Sequence, residues 1–194
     1  MLVSIVIRTL NEATYIAEML EAIDMQNRQG FEVEVVIIDS GSTDATLSLA
    51  QDFGCKITFI KKDQFTFGRS LNMGSDFANG DILVYISGHC IPTDNAWLMQ
   101  LIKPIVDGVA GYTYGRQIGR DTTKYAESKI FEKYFPPQSK IPQSDIFCNN
   151  ANSAIARQVW SKFTFDEQIT GLEDMELAKR FSEQGGKIAY VADA

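Results

Sequence analysis

A chain of 194 residues, 45% apolar and 22% charged, is long enough for one globular domain with its own core. Its 25 acidic against 18 basic residues, a formal charge of -7, exclude a broad nucleic-acid-binding face, which needs clustered Lys and Arg. An anionic ligand must therefore meet a few well-placed cations.

From the N-terminus, Val3–Arg8 reads as a strand, Ala13–Asp24 as a helix, Val33–Asp39 as a strand, Thr43–Phe53 as a helix and Lys56–Ile60 as a strand. Gly68–Ala78 has helical period, Ile82–Ile86 is a continuous apolar strand, Asp94–Val106 a helix and Val109–Gln117 a strand of mixed polarity. A polar helix near Thr122–Tyr134 precedes Pro136, Pro137 and Pro142, which mark a mobile loop. An apolar run at Ile146–Ala156, a helix from about Glu173 to Gln184 stopped by Gly185-Gly186, and a strand at Lys187–Val191 follow. This alternation is the βαβ signature and predicts one α/β domain with a mostly parallel central sheet flanked by helices.

Met1 leads directly into Leu2-Val3-Ser4-Ile5-Val6-Ile7, with no basic and apolar leader, and no apolar run spans a bilayer, so a cytoplasmic chain is expected. Cys55, Cys90 and Cys148 are odd in number and widely spaced, which fits a reducing compartment; Cys55 and Cys148 are expected in the core. Trp97 and Trp160 lie in helical patterns and are expected there too.

Open parallel sheets bind ligands at the carboxyl ends of their strands. Those ends carry Thr9-Leu10-Asn11-Glu12, Asp39-Ser40-Gly41-Ser42-Thr43-Asp44 and Ser87-Gly88-His89, and Gly171-Leu172-Glu173-Asp174 precedes a later helix. No G-x-G-x-x-G follows the first strand and no G-x-x-x-x-G-K-[ST] exists, which sets aside nicotinamide, flavin and P-loop chemistry. Asn11 and Glu12 suit hydrogen bonds to a base or ribose, and Asp39 suits a pyrimidine ring N–H. Asn11 equally suits a helix N-cap, as does Asp44 with Ser42 or Thr43. A carboxylate closing the apolar run Val35–Ile38 needs a partner.

Ser4–Glu12, Asp39–Asp44, Gly68–Asp81 and Glu173-Asp174, in this order, resemble the family-2 inverting glycosyltransferases of A-type, Rossmann-like fold, over essentially the whole chain. The resemblance implies that Thr9, Glu12 and Asp39 line a nucleotide base pocket with Asp44 close by, and that Arg69 lies beside the diphosphate. Arg69 follows the aromatic loop Phe65-Thr66-Phe67 at a helix start, where a guanidinium can fork onto phosphate oxygens.

Family members place a D-x-D-type pair after the fourth strand to hold a divalent cation. Here Ser87 and His89, the only histidine, occupy that slot. Two roles stand open for His89: a neutral ligand to Mn²⁺ or Mg²⁺, although hard cations prefer oxygen, or an imidazolium offsetting leaving-group charge without a metal.

Inverting displacement needs a carboxylate to take the acceptor's proton. Adjacent residues at a helix start point about 100° apart, so one of Glu173 and Asp174 aims into the cleft. The resemblance makes it Asp174, with Glu173 toward the acceptor; both also suit a helix N-terminus. Asn149, Asn150 and Asn152 suggest either acceptor hydroxyl contacts, for which Asn150 and Asn152 are the candidates, or a tightly bonded turn.

The expected activity is transfer of a hexosyl or deoxyhexosyl group from a UDP-, dTDP- or GDP-sugar to a carbohydrate or lipid-linked acceptor. The setting is assembly of a surface polysaccharide or glycolipid, at the cytoplasmic face of a membrane for a lipid-linked acceptor. The whole of 1–194 is expected to be one catalytic domain, shortened at its C-terminus. The rival readings are a catalytically silent sugar-nucleotide-binding domain, favoured by the missing acids, and a hydrolase using Asp39, disfavoured by the lack of G-x-S-x-G.

Overall fold

The computed structural model describes residues 1–120 and 122–194. Its elements are β1 (Leu2–Thr9), α1 (Ile16–Asp24), β2 (Glu32–Asp39), α2 (Thr46–Asp52), β3 (Lys56–Phe59), a 3₁₀ turn (Lys62–Gln64), α3 (Phe67–Phe77), β4 (Ile82–Ser87), α4 (Trp97–Val106), β5 (Tyr112–Gly115), α5 (Tyr125–Tyr134), β6 (Asn152–Ala156), α6 (Arg157–Trp160), α7 (Glu173–Glu183) and β7 (Ile188–Val191). The strands form one seven-stranded sheet in the order β3-β2-β1-β4-β6-β5-β7. All neighbours pair parallel except β6, which is antiparallel to both β4 and β5.

The central strands are apolar on both faces because helices cover both. Alternation divides them: Val6, Val36, Ile38, Leu83 and Tyr85 join Leu71 of α3 and Leu177 of α7 in one core. Ile5, Ile7, Ile37 and Val84 join Met19, Leu20 and Ile23 of α1 and Leu98, Leu101 and Ile102 of α4 in the other. Trp97 and Trp160 are buried as expected, and their indole N–H groups donate to Asn152 Oδ1 and Asn72 Oδ1. All three cysteines are free, Cys148 buried and Cys55 half-buried.

α3 lies so close to the sheet that only glycine fits at position 74. A Cβ there would overlap Ile38 Cδ1 and sit 2.6 Å from Val6 Cγ1. Gly74→Ala is therefore expected to lower the unfolding free energy by about 1–3 kcal/mol through overpacking. Urea unfolding measures it: an unchanged midpoint would mean that the helix can lift off the sheet without penalty.

Several elements are shorter than the sequence pattern suggests. α1 begins at Ile16 rather than Ala13, and α2 at Thr46 rather than Thr43, because the preceding residues are engaged in a loop-to-loop network. α4 begins at Trp97 rather than Asp94, whose Oδ1 accepts the Ala96 N–H in a local turn. The strand expected at Val109–Gln117 is confined to Tyr112–Gly115. In the run Ile146–Ala156 only the last five residues are strand, since Asn149 turns the chain by accepting the Ala151 N–H.

Candidate functional site

Parallel register brings the three polar strand ends together. Thr9 lies opposite Asp39 on β1 and β2, and Arg8 lies opposite Ser87 on β1 and β4. A cleft of about 380 Å³ opens above them, lined by Arg8, Thr9, Leu10 and Glu12, by Ser40, by Lys62, Phe65 and Phe67, and by Ser87, Gly88 and His89. Thr9, Glu12, Ser87 and His89 thus share one cavity, as the strand ends imply. The turn after β4 presses on Glu12: a Cβ at Gly88 would stand 2.8 Å from Glu12 Cγ and 3.1 Å from the Arg8 carbonyl.

Other expected site residues have hydrogen-bond partners inside the protein. Asp39 is fully buried, and both of its oxygens are engaged. Oδ1 accepts the N–H groups of Gly41 and Ser42, both at 2.8 Å, and Oδ2 accepts the hydroxyls of Thr9 and Ser42. Four bonds fill a carboxylate's acceptor sites, so the group that looked in need of a base N–H is satisfied by its own loop. Asn11 is no helix N-cap. Held at φ 57°, it accepts the Thr43 N–H on Oδ1 at 2.8 Å, and its own N–H donates to Ser42 Oγ at 2.8 Å. Asp44 Oδ1 accepts the Thr46 N–H at 3.0 Å in a local turn just before α2, whose N-cap is Ala45, and Oδ2 accepts the Ala13 N–H at 3.1 Å, a tie to the first loop. These hydrogen bonds hold the Asp44 carboxyl below the usual range, the Thr46 hydroxyl contributing most.

Arg69 is paired within the protein. Its Nε donates to Glu167 Oε2 at 2.9 Å and Nη1 to the Gln64 carbonyl at 2.9 Å, and the side chain does not line the cleft. That pairing draws the Glu167 carboxyl below its ordinary value, with help from Asn72. The N-terminus of α3 is capped from within, Thr66 Oγ1 accepting the Arg69 N–H at 3.1 Å.

Arg8, which the sequence pattern hides as a strand residue, lines the cleft. Its guanidinium lies over the Phe67 ring, 4.8 Å from the centroid, with Nη1 3.9 Å from Glu173 Oε1. Its side chain is 16% exposed. Burial lowers its pKa, opposed by the charges of Glu173 and Asp174, and an arginine stays protonated in such surroundings. A charge closing an otherwise apolar strand was the available signal.

Glu173 and Asp174 are both buried in the first turn of α7, behind Leu172 at φ 62°, a left-handed conformation costly for leucine. Asp174 Oδ2 accepts the Asn150 N–H at 3.1 Å and Oδ1 the Met175 N–H at 2.8 Å. Burial, then the charge of Glu173, nonetheless pushes the Asp174 carboxyl above the ordinary aspartate value. Beside it, Asn150 Oδ1 accepts the Tyr112 hydroxyl at 2.6 Å and the Ser153 hydroxyl at 2.9 Å, while its buried Nδ2 has no acceptor among the described residues. Asn152 is structural: Oδ1 takes the Trp97 indole, and Nδ2 reaches the carbonyls of Arg116 and Ala194. The asparagine-rich run forms a tightly bonded turn, with the Asn150 amide left without an acceptor among the described residues.

His89 is 60% exposed, with Nδ1 3.4 Å from Glu12 Oε1. Among the described residues no three His, Cys, Asp or Glu side chains stand close enough to hold a metal ion.

Comparison with known proteins agrees with this architecture. The model of glycosyl transferase family 2 matches residues 4–163. The O-antigen chain rhamnosyltransferase RfbN of Salmonella typhimurium is 26% identical over 206 aligned positions, covering 100% of this chain; the chain spans 65% of that relative's length. Staphylococcus aureus TarS 1-349 in complex with UDP superposes with a TM-score of 0.76 at 17% identity, covering 100% of this chain and 59% of that one. The mannosyltransferase PcManGT of Pyrobaculum calidifontis, in complex with GDP-Man and Mn²⁺, does so with a TM-score of 0.75 at 20% identity, covering 98% and 55%. The shared fold is the A-type glycosyltransferase fold, and with the family model matching most of its length, the chain belongs to glycosyl transferase family 2.

Proposed function

We propose that this domain transfers a sugar, with inversion, from a nucleotide-diphosphate donor to an acceptor hydroxyl. The observation that carries the reading is the convergence of Thr9, Glu12, Ser87 and His89 from separate strand ends on one cleft, joined through Arg8 to the Glu173-Asp174 pair. Thr9 and Glu12 face the base side, with Asp39, Asn11 and Asp44 fixing the loops that shape it. Asp174 takes the acceptor proton. Its raised pKa makes it a stronger base than a solvated aspartate, and the Asn150 and Met175 N–H groups hold its orientation. Glu173 borders the acceptor.

Neighbouring structures that contain UDP or GDP-Man support a nucleotide-sugar donor of the UDP, dTDP or GDP class. The name of RfbN supports a deoxyhexosyl group and polysaccharide assembly. No helix among the described residues is long and apolar enough to cross a membrane. For a lipid-linked acceptor at the cytoplasmic face, the exposed Tyr125, Ile130 and Tyr134 of α5, with Lys129 and Lys133 beside them, offer an interfacial contact.

Mn²⁺ or Mg²⁺ finds a poor donor set here. A serine hydroxyl, an imidazole and one carboxylate replace the oxygen-rich pair such ions prefer, and a guanidinium shares the cleft. The second reading, a silent binding domain, is favoured by the same replacement. Calorimetric titration with UDP, dTDP and GDP, followed by incubation with the matching sugar donors and a panel of glycan acceptors, separates the two. Transfer supports the enzyme, binding without turnover the silent domain, and no binding removes both.

A further inference from the structure

The cleft holds a cation that the base pocket does not account for. Arg8 is anchored by its ring partner Phe67, yet its Nη1 is buried with no hydrogen-bond acceptor among the described residues. Glu173 Oε1, at 3.9 Å, is too far for a hydrogen bond and acts on it only as a charge. A desolvated guanidinium with an unpartnered N–H gains from any anionic oxygen that reaches it. Arg8 lines the cleft together with Ser87–His89, the slot where carboxylates would hold a metal, and Glu173 belongs to the first turn of α7.

We propose that Arg8 binds the donor diphosphate directly and performs the charge stabilisation that a divalent cation would otherwise supply, so that donor binding in this chain is independent of metal. This deepens the donor-site reading and rests on it. As the acceptor oxygen forms its bond to the anomeric carbon, the bond from that carbon to the diphosphate breaks. The electron pair passes to the diphosphate oxygen facing Arg8, and the acceptor proton goes to Asp174. Lys62, also on the cleft wall, adds a second, solvent-side cation. Arg69 adds none, since Glu167 holds it.

The test titrates whichever of UDP, dTDP and GDP binds, together with its parent nucleoside, into the wild-type chain, Arg8→Gln and Arg8→Lys, each in EDTA and in Mn²⁺. Wild-type affinity for the diphosphate is expected to agree within about twofold between EDTA and Mn²⁺. Arg8→Gln should weaken the diphosphate by about 10- to 100-fold and leave the nucleoside unchanged, with Arg8→Lys between, because lysine keeps the charge and loses the fork. Loss of wild-type affinity in EDTA, full diphosphate affinity in Arg8→Gln, or an equal loss for nucleoside and diphosphate would overturn the role of Arg8 while leaving the donor site standing. Absence of any nucleotide binding by the wild type would overturn the donor site itself. Should Arg8→Gln fail to fold, the wild-type EDTA comparison and Arg8→Lys still decide.

Discussion

Asp174→Asn should lower sugar transfer by about 10²- to 10⁴-fold, the usual contribution of a positioned general base, with nucleotide affinity little changed. The loss follows from chemistry rather than from unfolding. The amide occupies the same volume, and its oxygen still accepts one of the two N–H groups that hold the carboxylate. The sign of the linkage supports this. Burial and then Glu173 raise the folded pKa of Asp174, so its contribution to stability is fullest below the unfolded aspartate value and is lost as pH rises through the folded one. At neutral pH the ionised carboxylate is thus a strain on the fold that the amide lacks. Thermal melts at neutral pH are expected to place the variant within about 4 °C of wild type. The acid limb of the wild-type rate profile should lie above the ordinary aspartate range. Full transfer by the variant, with its native donor and acceptor, would remove Asp174 from the mechanism.

At Asp39 the expected outcome divides by substitution. Asp39→Ala strips four donors of their acceptor and should destabilise the fold by about 2–4 kcal/mol, taking nucleotide affinity with it as the loop after β2 loosens. Asp39→Asn should do neither. Its oxygen can keep the Gly41 and Ser42 N–H groups, and its amide can donate to the hydroxyls of Thr9 and Ser42, which are able to accept as well as donate. Urea unfolding and nucleotide titration of both variants check the contrast. A stable asparagine variant without affinity would show that the carboxylate reads the base directly. An alanine variant with wild-type affinity would detach Asp39 from the pocket.

The central strands were legible because β1, β2 and β4 are covered on both faces and so are continuously apolar. Their ends, and the polar residues after them, followed from the same pattern. The late starts of α1 and α2 were not legible, since they depend on Asn11–Thr43, Glu12–Thr46 and Ala13–Asp44 contacts between loops more than thirty residues apart. The reversal of β6 was hidden too, because alternation of side chains is the same in either strand direction. Arg69 had the right local surroundings for a phosphate ligand, yet Glu167, 98 residues away, closes it. Arg8 looked like the polar end of a strand until α3 and α7 folded over it.

The two loops tied by Asn11, Ser42, Thr43, Asp44 and Thr46 have an entropic consequence. Their backbone is already tied, so under the proposed function a nucleotide base entering beside Thr9 and Glu12 would have little chain to immobilise. Recognition on that side becomes a matter of fit to a fixed shape, and small changes in base size should matter more than the number of hydrogen bonds offered.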